Sequence, residues 1–252
     1  MSDFIKTYTT AGTRLTIARL SDSVENAMLS AQLPLQETSQ AASAMLLSVC
    51  LVENRKEDNA SVSVTLTYPA LGRKFTALCE RDGRVRVCAD DCTPGFLREG
   101  VILDVTQRLP VRGDYTSVVS ADNEQDAVTE YFRASQQTKA HFRILSEGNV
   151  FCAVLSERFP ITEQAHQIYD EDADLVFAKM DNLTSPADQE TFVAPYKKTG
   201  EHELKFGCTC TSRSIRSALA GISPEELEQL KDADGKLEVR CKHCGKIFRL
   251  EV

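Results

Sequence analysis

Four cysteines near the C-terminus constrain this chain more than any other feature: Cys208-Thr209-Cys210, thirty intervening residues, then Cys241-Lys242-His243-Cys244. Residues two apart in an extended segment face the same side, so Cys208 and Cys210 can offer both sulfurs to one metal. Cys241 and Cys244 suit a tight metal-binding turn, where Gly245 lets the backbone wrap round the sulfur. Four thiolates complete a closed tetrahedral Zn²⁺ site with no open position for substrate. The expected cofactor is therefore one Zn²⁺ per reduced chain, held by Cys208, Cys210, Cys241 and Cys244. A terminal unit of 49 residues (204–252) buries little core of its own, which makes a structural metal physically useful. His243, between two ligands, is expected to be a solvent-facing spacer rather than a fifth ligand.

The remaining composition sets the class. At 252 residues, 42% hydrophobic and 26% charged, the chain reads as an ordinary globular protein with one main domain and an appendage. Its N-terminus lacks an apolar core and cleavage pattern of the secretory kind, and no apolar run suits a membrane span, so the expected address is the cytoplasm. In a reducing compartment nine cysteines point to metal or redox chemistry rather than a disulfide framework. The net charge of −8 argues against nucleic acid as the main partner. Cys50, Cys79 and Cys152 sit in apolar stretches and read as core, while Cys88 and Cys92 flank Ala-Asp-Asp and make at most a weak two-thiol pair. No P-loop, dinucleotide glycine pattern or G-x-S-x-G occurs, and His141 and His166 stand apart from other catalytic types, so no enzymatic activity is expected.

The expected fold class is α+β: a mixed sheet-and-helix core domain (1–155), an acidic helical linker (156–203) and a small zinc-binding domain (204–252). Helical spacing covers 21–33 and 40–52, the second through AASAMLLSVCLV. The period then changes to the alternation of SVSVTLTY (61–68), continued by KFTALCE, GRVRVCA, GVILDVTQ and YTSVVS, with Asp82-Gly83 as a hairpin turn. A helix over 123–136, capped by Asp122 or Asn123, precedes two strands joined across Glu147-Gly148-Asn149. The linker holds eleven acidic and four basic residues, a net −7, and its apolar stripe is Ile168, Leu175, Val176 and Met180. Such a helix is expected to depend on docking to the zinc unit, and replacing Asp172 and Asp174 by Ala is expected to strengthen it. In the terminal unit, Ser223, Pro224 and Glu226 specify a helix start.

The stretch ELKFGCTCTSRSIRSALAGISPEELEQLKDADGKLEVRCKHCGKIFRL resembles the heat shock protein 33 family of redox-regulated chaperones in both cysteine pairs, their spacing and the helices between them. GDYTSVVSADNEQDAVTEYFRASQQ is similar to a strand and helix of the same family. The resemblance implies a holdase that is quiet when reduced and zinc-bound. It also implies oxidation by peroxide or hypochlorite to Cys208–Cys210 and Cys241–Cys244 disulfides, followed by unfolding of the terminal unit and capture of unfolding client proteins. Homodimerisation on oxidation goes with that expectation; nucleic acid and membrane do not. YPALGRKF (68–75) and GNVFCAVLSERFP (148–160) depart from the family pattern, so altered chaperone activity within the family is a second reading. A zinc-ribbon-like module for protein or nucleic acid is the alternative from another class, but its nine basic residues are nearly cancelled by acidic neighbours.

Overall fold

The computed structural model describes residues 2–53, 60–92, 99–111, 113–159 and 166–251, with 166–170 described for the backbone alone. It is an α+β fold built round one helix. Helix α2 (Thr38–Glu53) is buried on every side from Ala41 to Val52, as its almost unbroken apolar run requires. It lies between two sheets and touches strands of both.

The first sheet runs β10-β1-β2-β9-β8 and is antiparallel throughout, with β1 (Phe4–Thr9), β2 (Thr13–Leu20), β8 (Ala140–Glu147), β9 (Val150–Arg158) and β10 (Lys197–Glu203). The second runs β11-β5-β4-β3-β6-β7, with β3 (Ser61–Tyr68), β4 (Arg73–Glu80), β5 (Arg84–Asp91), β6 (Val101–Leu109), β7 (Gly113–Ala121) and β11 (Lys205–Phe206). All its pairings are antiparallel except the last, in which β11 lies parallel to the edge of β5. Alternation explains the inner face: Val62, Val64 and Leu66 on β3 are buried with Phe75, Ala77 and Cys79 on β4, and Val85 and Val87 on β5. Helices α1 (Asp22–Ala31) and α3 (Glu124–Tyr131, continued by a π turn to Gln136) close the same core. Asn123 caps α3 by accepting the Asp126 N–H at 2.9 Å, and Gly83 and Gly148 take positive φ in the two hairpin turns read from the sequence. Cys50, Cys79 and Cys152 are fully buried.

The outer face of the first sheet carries α4 (His166–Asp181) and α5 (Asp188–Val193). Leu15, Ile17 and Val154 pack there against Val176, Met180, Leu183, Phe192 and Val193. This stripe differs from the one the sequence suggested. Leu175 is exposed, Ala173 takes its place, and the side chain of Ile168 lies outside the described residues, as does that of His166. At about 100° per residue, 173, 176 and 180 share a face that 175 cannot. His141 is not isolated either, since its Nε2 sits 2.9 Å from Asp181 and so joins β8 to the end of α4.

Two further expectations for the linker give way to the geometry. Its two ends are strands: β9 extends to Arg158, and Lys197–Glu203 pairs with β1 along its length. Polar, alternately charged edge strands such as KKTGEHE lack the apolar period by which strands are read. Likewise β1 and β2 went unread, because the buried positions of β1 include Thr7, and β2 is buried on both faces with arginines between. Helix α4, moreover, docks on β2, β8 and β9 rather than on the terminal unit. Asp172 holds it there, accepting from Thr10 Oγ1 at 2.7 Å and from the Gly12 N–H at 3.1 Å. Asp172→Ala should therefore loosen α4 rather than strengthen it, by about 1–2 kcal/mol for a carboxylate losing two hydrogen bonds. Asp174→Ala, at an exposed position, should change stability by less than about 0.5 kcal/mol. Urea unfolding of the two single variants, with hydrogen exchange along 171–181, checks the difference.

Candidate metal centre

The terminal unit has little to hold it together besides its cysteines. Only Cys241, Phe248 and Leu250 form its buried cluster among the described residues, with Ile215 and Leu219 and the other three cysteines packed around them. Helix α6 (Ser212–Leu219) starts at a capping box of Thr211 and Ser214, and α7 (Pro224–Gln229) at the Ser223–Glu226 box expected from sequence. Both helices are short and largely exposed, so neither supplies a core. A hairpin of β12 (Leu237–Arg240) and β13 (Ile247–Leu250) brackets the second cysteine pair.

The fold brings all four predicted ligands together, with their sulfurs within 4.8 Å of one another. Cys208 Sγ lies 3.8 Å from Cys241 Sγ, and Cys210 Sγ 3.4 Å from Cys244 Sγ. A tetrahedral ion with Zn–S bonds of about 2.3 Å would separate its sulfurs by about 3.8 Å, so the donor set fits Zn²⁺ in number, type and spacing. The turn that presents Cys241 and Cys244 is closed by Gly245 N–H donating to the Cys241 carbonyl at 2.8 Å. Gly245 has φ +68, and a side chain there would meet the Ser30 carbonyl oxygen at 2.9 Å, so both conformation and neighbour require glycine. Cys208 and Cys210 are not in a strand: β11 ends at Phe206, and an irregular segment carries both sulfurs to the site.

The thiols are not equivalent. Burial works against ionisation of Cys241, yet the backbone N–H groups of Cys244 and His243 point at its sulfur and bring it below the usual thiol value. Burial raises Cys208, and burial together with the neighbouring Cys244 thiol raises Cys210. Thiol-directed N–H groups of this kind favour the thiolate that a metal needs.

His243 corrects an expectation. Its ring is half-buried with Nε2 shielded from solvent, and burial, with the Arg86 charge beside it, pushes the imidazole down to about 4. It faces the second sheet instead of solvent, because the turn that presents the cysteines rests on that sheet. The residues that receive it carry no local sequence signal. Lys242 pairs with Asp90, and Thr209 Oγ1 donates to Glu80 at 3.0 Å. Arg86 spans from Glu80, at 2.9 Å, to the Gly207 carbonyl at 3.4 Å. Cys88 lies close enough for Lys242 and Cys241 to act on its thiol, which burial raises to about 11. Cys92 continues beyond β5 with its N–H on the Gly72 carbonyl.

The family model described as Hsp33 protein matches residues 4–251, and the chain belongs to that family. Among curated relatives, the 33 kDa chaperonin of Streptococcus equi subsp. zooepidemicus is 24% identical over 153 residues, 61% of this chain and 42% of that protein. That of Bacillus cereus is 26% identical over 180 residues, 66% of this chain and 60% of the relative. These matches thus span less than two thirds of the relatives' own length. The crystal structure of the 33 kDa chaperonin from Thermotoga maritima superposes with a TM-score of 0.75 at 20% identity, over 99% of this chain and 95% of that one, which establishes the shared fold.

Replacing Cys208, Cys210, Cys241 and Cys244 together by Ser should abolish zinc retention, measured by elemental analysis of reduced, dialysed protein. Cys79→Ser or Cys152→Ser should leave one zinc per chain.

Proposed function

We propose that this Hsp33-family chain is a redox-regulated holding chaperone of the cytoplasm and not an enzyme, quiet when reduced and active when its four clustered thiols are oxidised. One observation carries the reading: four sulfurs converge within 4.8 Å in a unit that has only a small apolar cluster and rests on the main sheet. The names of the curated relatives support the chaperone part, and no helix among the described residues is long and apolar enough to cross a membrane.

In the reduced state a bound Zn²⁺ would supply a closed four-thiolate cross-link between the 208–210 segment and the 241–244 turn, worth about 10–16 kcal/mol in comparable small sites. Everything else follows from the chain's own groups. Two thiols and one peroxide give one disulfide and two waters, so a pair of peroxide molecules converts all four ligands. A disulfide has no thiolate to offer a metal.

Which sulfurs pair decides the outcome. Local disulfides, Cys208–Cys210 and Cys241–Cys244, leave the two segments unlinked and the unit without its tie. Cross-pairing of Cys208 with Cys241 would close a loop of more than thirty residues and stabilise the unit by about 3–4 kcal/mol. All four sulfurs are close enough for either scheme, so release requires the local one. In this reading 204–252 is the switch, 1–155 is the domain that holds unfolding clients and pairs with a second copy on oxidation, and 156–203 connects them.

Light scattering from a thermally unfolding reporter enzyme tests the function. Reduced, zinc-loaded chain should leave aggregation unchanged, and peroxide-treated chain should suppress it at near-equimolar ratio. Suppression that is equal in both states would remove the redox switch from the account. Peptide mapping of the oxidised chain should return the two local disulfides; recovery mainly of Cys208–Cys241 or Cys210–Cys244 would contradict the release step.

A further inference from the structure

Strand β5 is the last long strand of the six-stranded sheet; helix α1 packs against it, but the strand paired to its outer edge is short. Two residues, Lys205 and Phe206, lie parallel to it opposite Arg84 and Val85. The Lys205 N–H donates to the Gly83 carbonyl at 3.0 Å and the Gly207 N–H to the Val85 carbonyl at 3.1 Å. Because backbone groups alternate along a strand, Val85, Val87 and Ala89 turn their N–H and C=O to this same edge, while Arg86 and Cys88 turn theirs to β4. An eight-residue edge is thus covered by a two-residue strand whose next residue but one is Cys208. Farther along, the pairing of Lys242 with Asp90 fastens the 241–244 turn to the end of the same strand. Both covers belong to the terminal unit or adjoin it directly.

We propose that the edge of β5 is a strand-addition site, closed by residues 205–207 in the reduced chain and opened when the terminal unit lets go. This rests on the redox-release reading above and adds the surface that release would uncover. The present occupant specifies what fits. The site takes an extended segment running parallel to β5, with an apolar side chain where Phe206 packs against the main core and an outward side chain where Lys205 is exposed. An alternating apolar–polar stretch of an unfolding polypeptide has that form, and such stretches are what a protein loses from its own sheets when it unfolds. Main-chain hydrogen bonding would make the site tolerant of sequence. An uncovered edge of this length is a pairing hazard that folded proteins suppress, which explains why the reduced chain keeps it closed. Leu204 stays anchored, buried and with its N–H on the Asp3 carbonyl at 3.1 Å, so the closing segment frays from Gly207 backwards and can return.

The test uses the full chain, reduced with zinc or oxidised with peroxide, and reduced, carboxymethylated α-lactalbumin as a permanently unfolded probe. Amide hydrogen exchange is followed residue by residue. Oxidation should speed exchange at least tenfold at Val85, whose amide faces the closing strand, while Arg86 and Cys88 stay protected, and bound probe should restore protection at Val85 and add it at Val87 and Ala89. Ala89→Pro, which removes an edge-facing N–H at a partly buried position, should weaken probe binding by the oxidised chain about tenfold. Probe bound with these three amides still exchanging freely, or with protection gained instead at Leu29, Gln32 and Leu33, which line a cleft at the end of α1, would overturn the edge site and leave the chaperone reading standing. An oxidised chain that binds no probe at all would overturn both. Protection of the three amides by a second copy without probe, seen as concentration dependence, would overturn the client assignment in favour of self-association.

Discussion

Four sulfur atoms converge on one point in the terminal fifth of this molecule, and in the proposed function they are what ties it down. The unit from Leu204 onwards buries a cluster centred on Cys241, Phe248 and Leu250, too small to order its 49 residues by apolar burial. Of its two capped helices, α6 packs only Ile215 and Leu219 against that cluster, and α7 adds local order. What makes 208–210 and 241–244 neighbours is that both pairs of thiols converge on one point. In the function proposed above, the arrangement would hold or give way according to the chemical state of sulfur, so that an oxidant would act on fold as well as on side chains.

The consequence reaches the main domain through a narrow contact. Gly207 joins the unit to the pairing of β11 with β5, and Arg86, Glu80 and Asp90 receive Gly207, Thr209 and Lys242. Arg86, Glu80 and Asp90 lie outside the α2-centred core, whereas Leu204 belongs to it and Phe206 packs against it, so in the proposed release the chain beyond Gly207 would detach without disturbing that core. The acidic segment follows a different logic. Its helices bury Val176, Met180 and Phe192 on the opposite sheet and are latched by Asp172 and Asp181 to the core itself. Its charge is a property of an exposed surface, not a sign that it must loosen with the terminal unit.

Much of this was legible in the sequence because the signals were periodic or spaced. The alternation of 61–68, the apolar run of 41–52, the Asn123 and Ser223 caps and the two cysteine pairs each carry their structure locally. The missed features were those decided by tertiary partners. Strand β10 is polar and alternately charged, and only pairing with β1 makes it a strand. His243 lay in a motif that suggested exposure, yet the motif rests on a sheet far away in sequence. Arg86, Asp90 and Glu80 look like ordinary surface charges of a hairpin until the terminal unit is placed on them. Local patterns specify elements; which faces meet is settled by the whole chain.

In the proposed function the thiolate–metal tie, and not the remaining contacts, keeps the terminal unit folded and docked. The amide NMR spectrum of the fully reduced chain, recorded before and after a strong chelator removes metal, tests this without any oxidation. Signals of 208–250 should collapse to unfolded positions while those of α2, β3 and β4 stay in place. Dispersed, unshifted signals across 208–250 in metal-free reduced protein would contradict it.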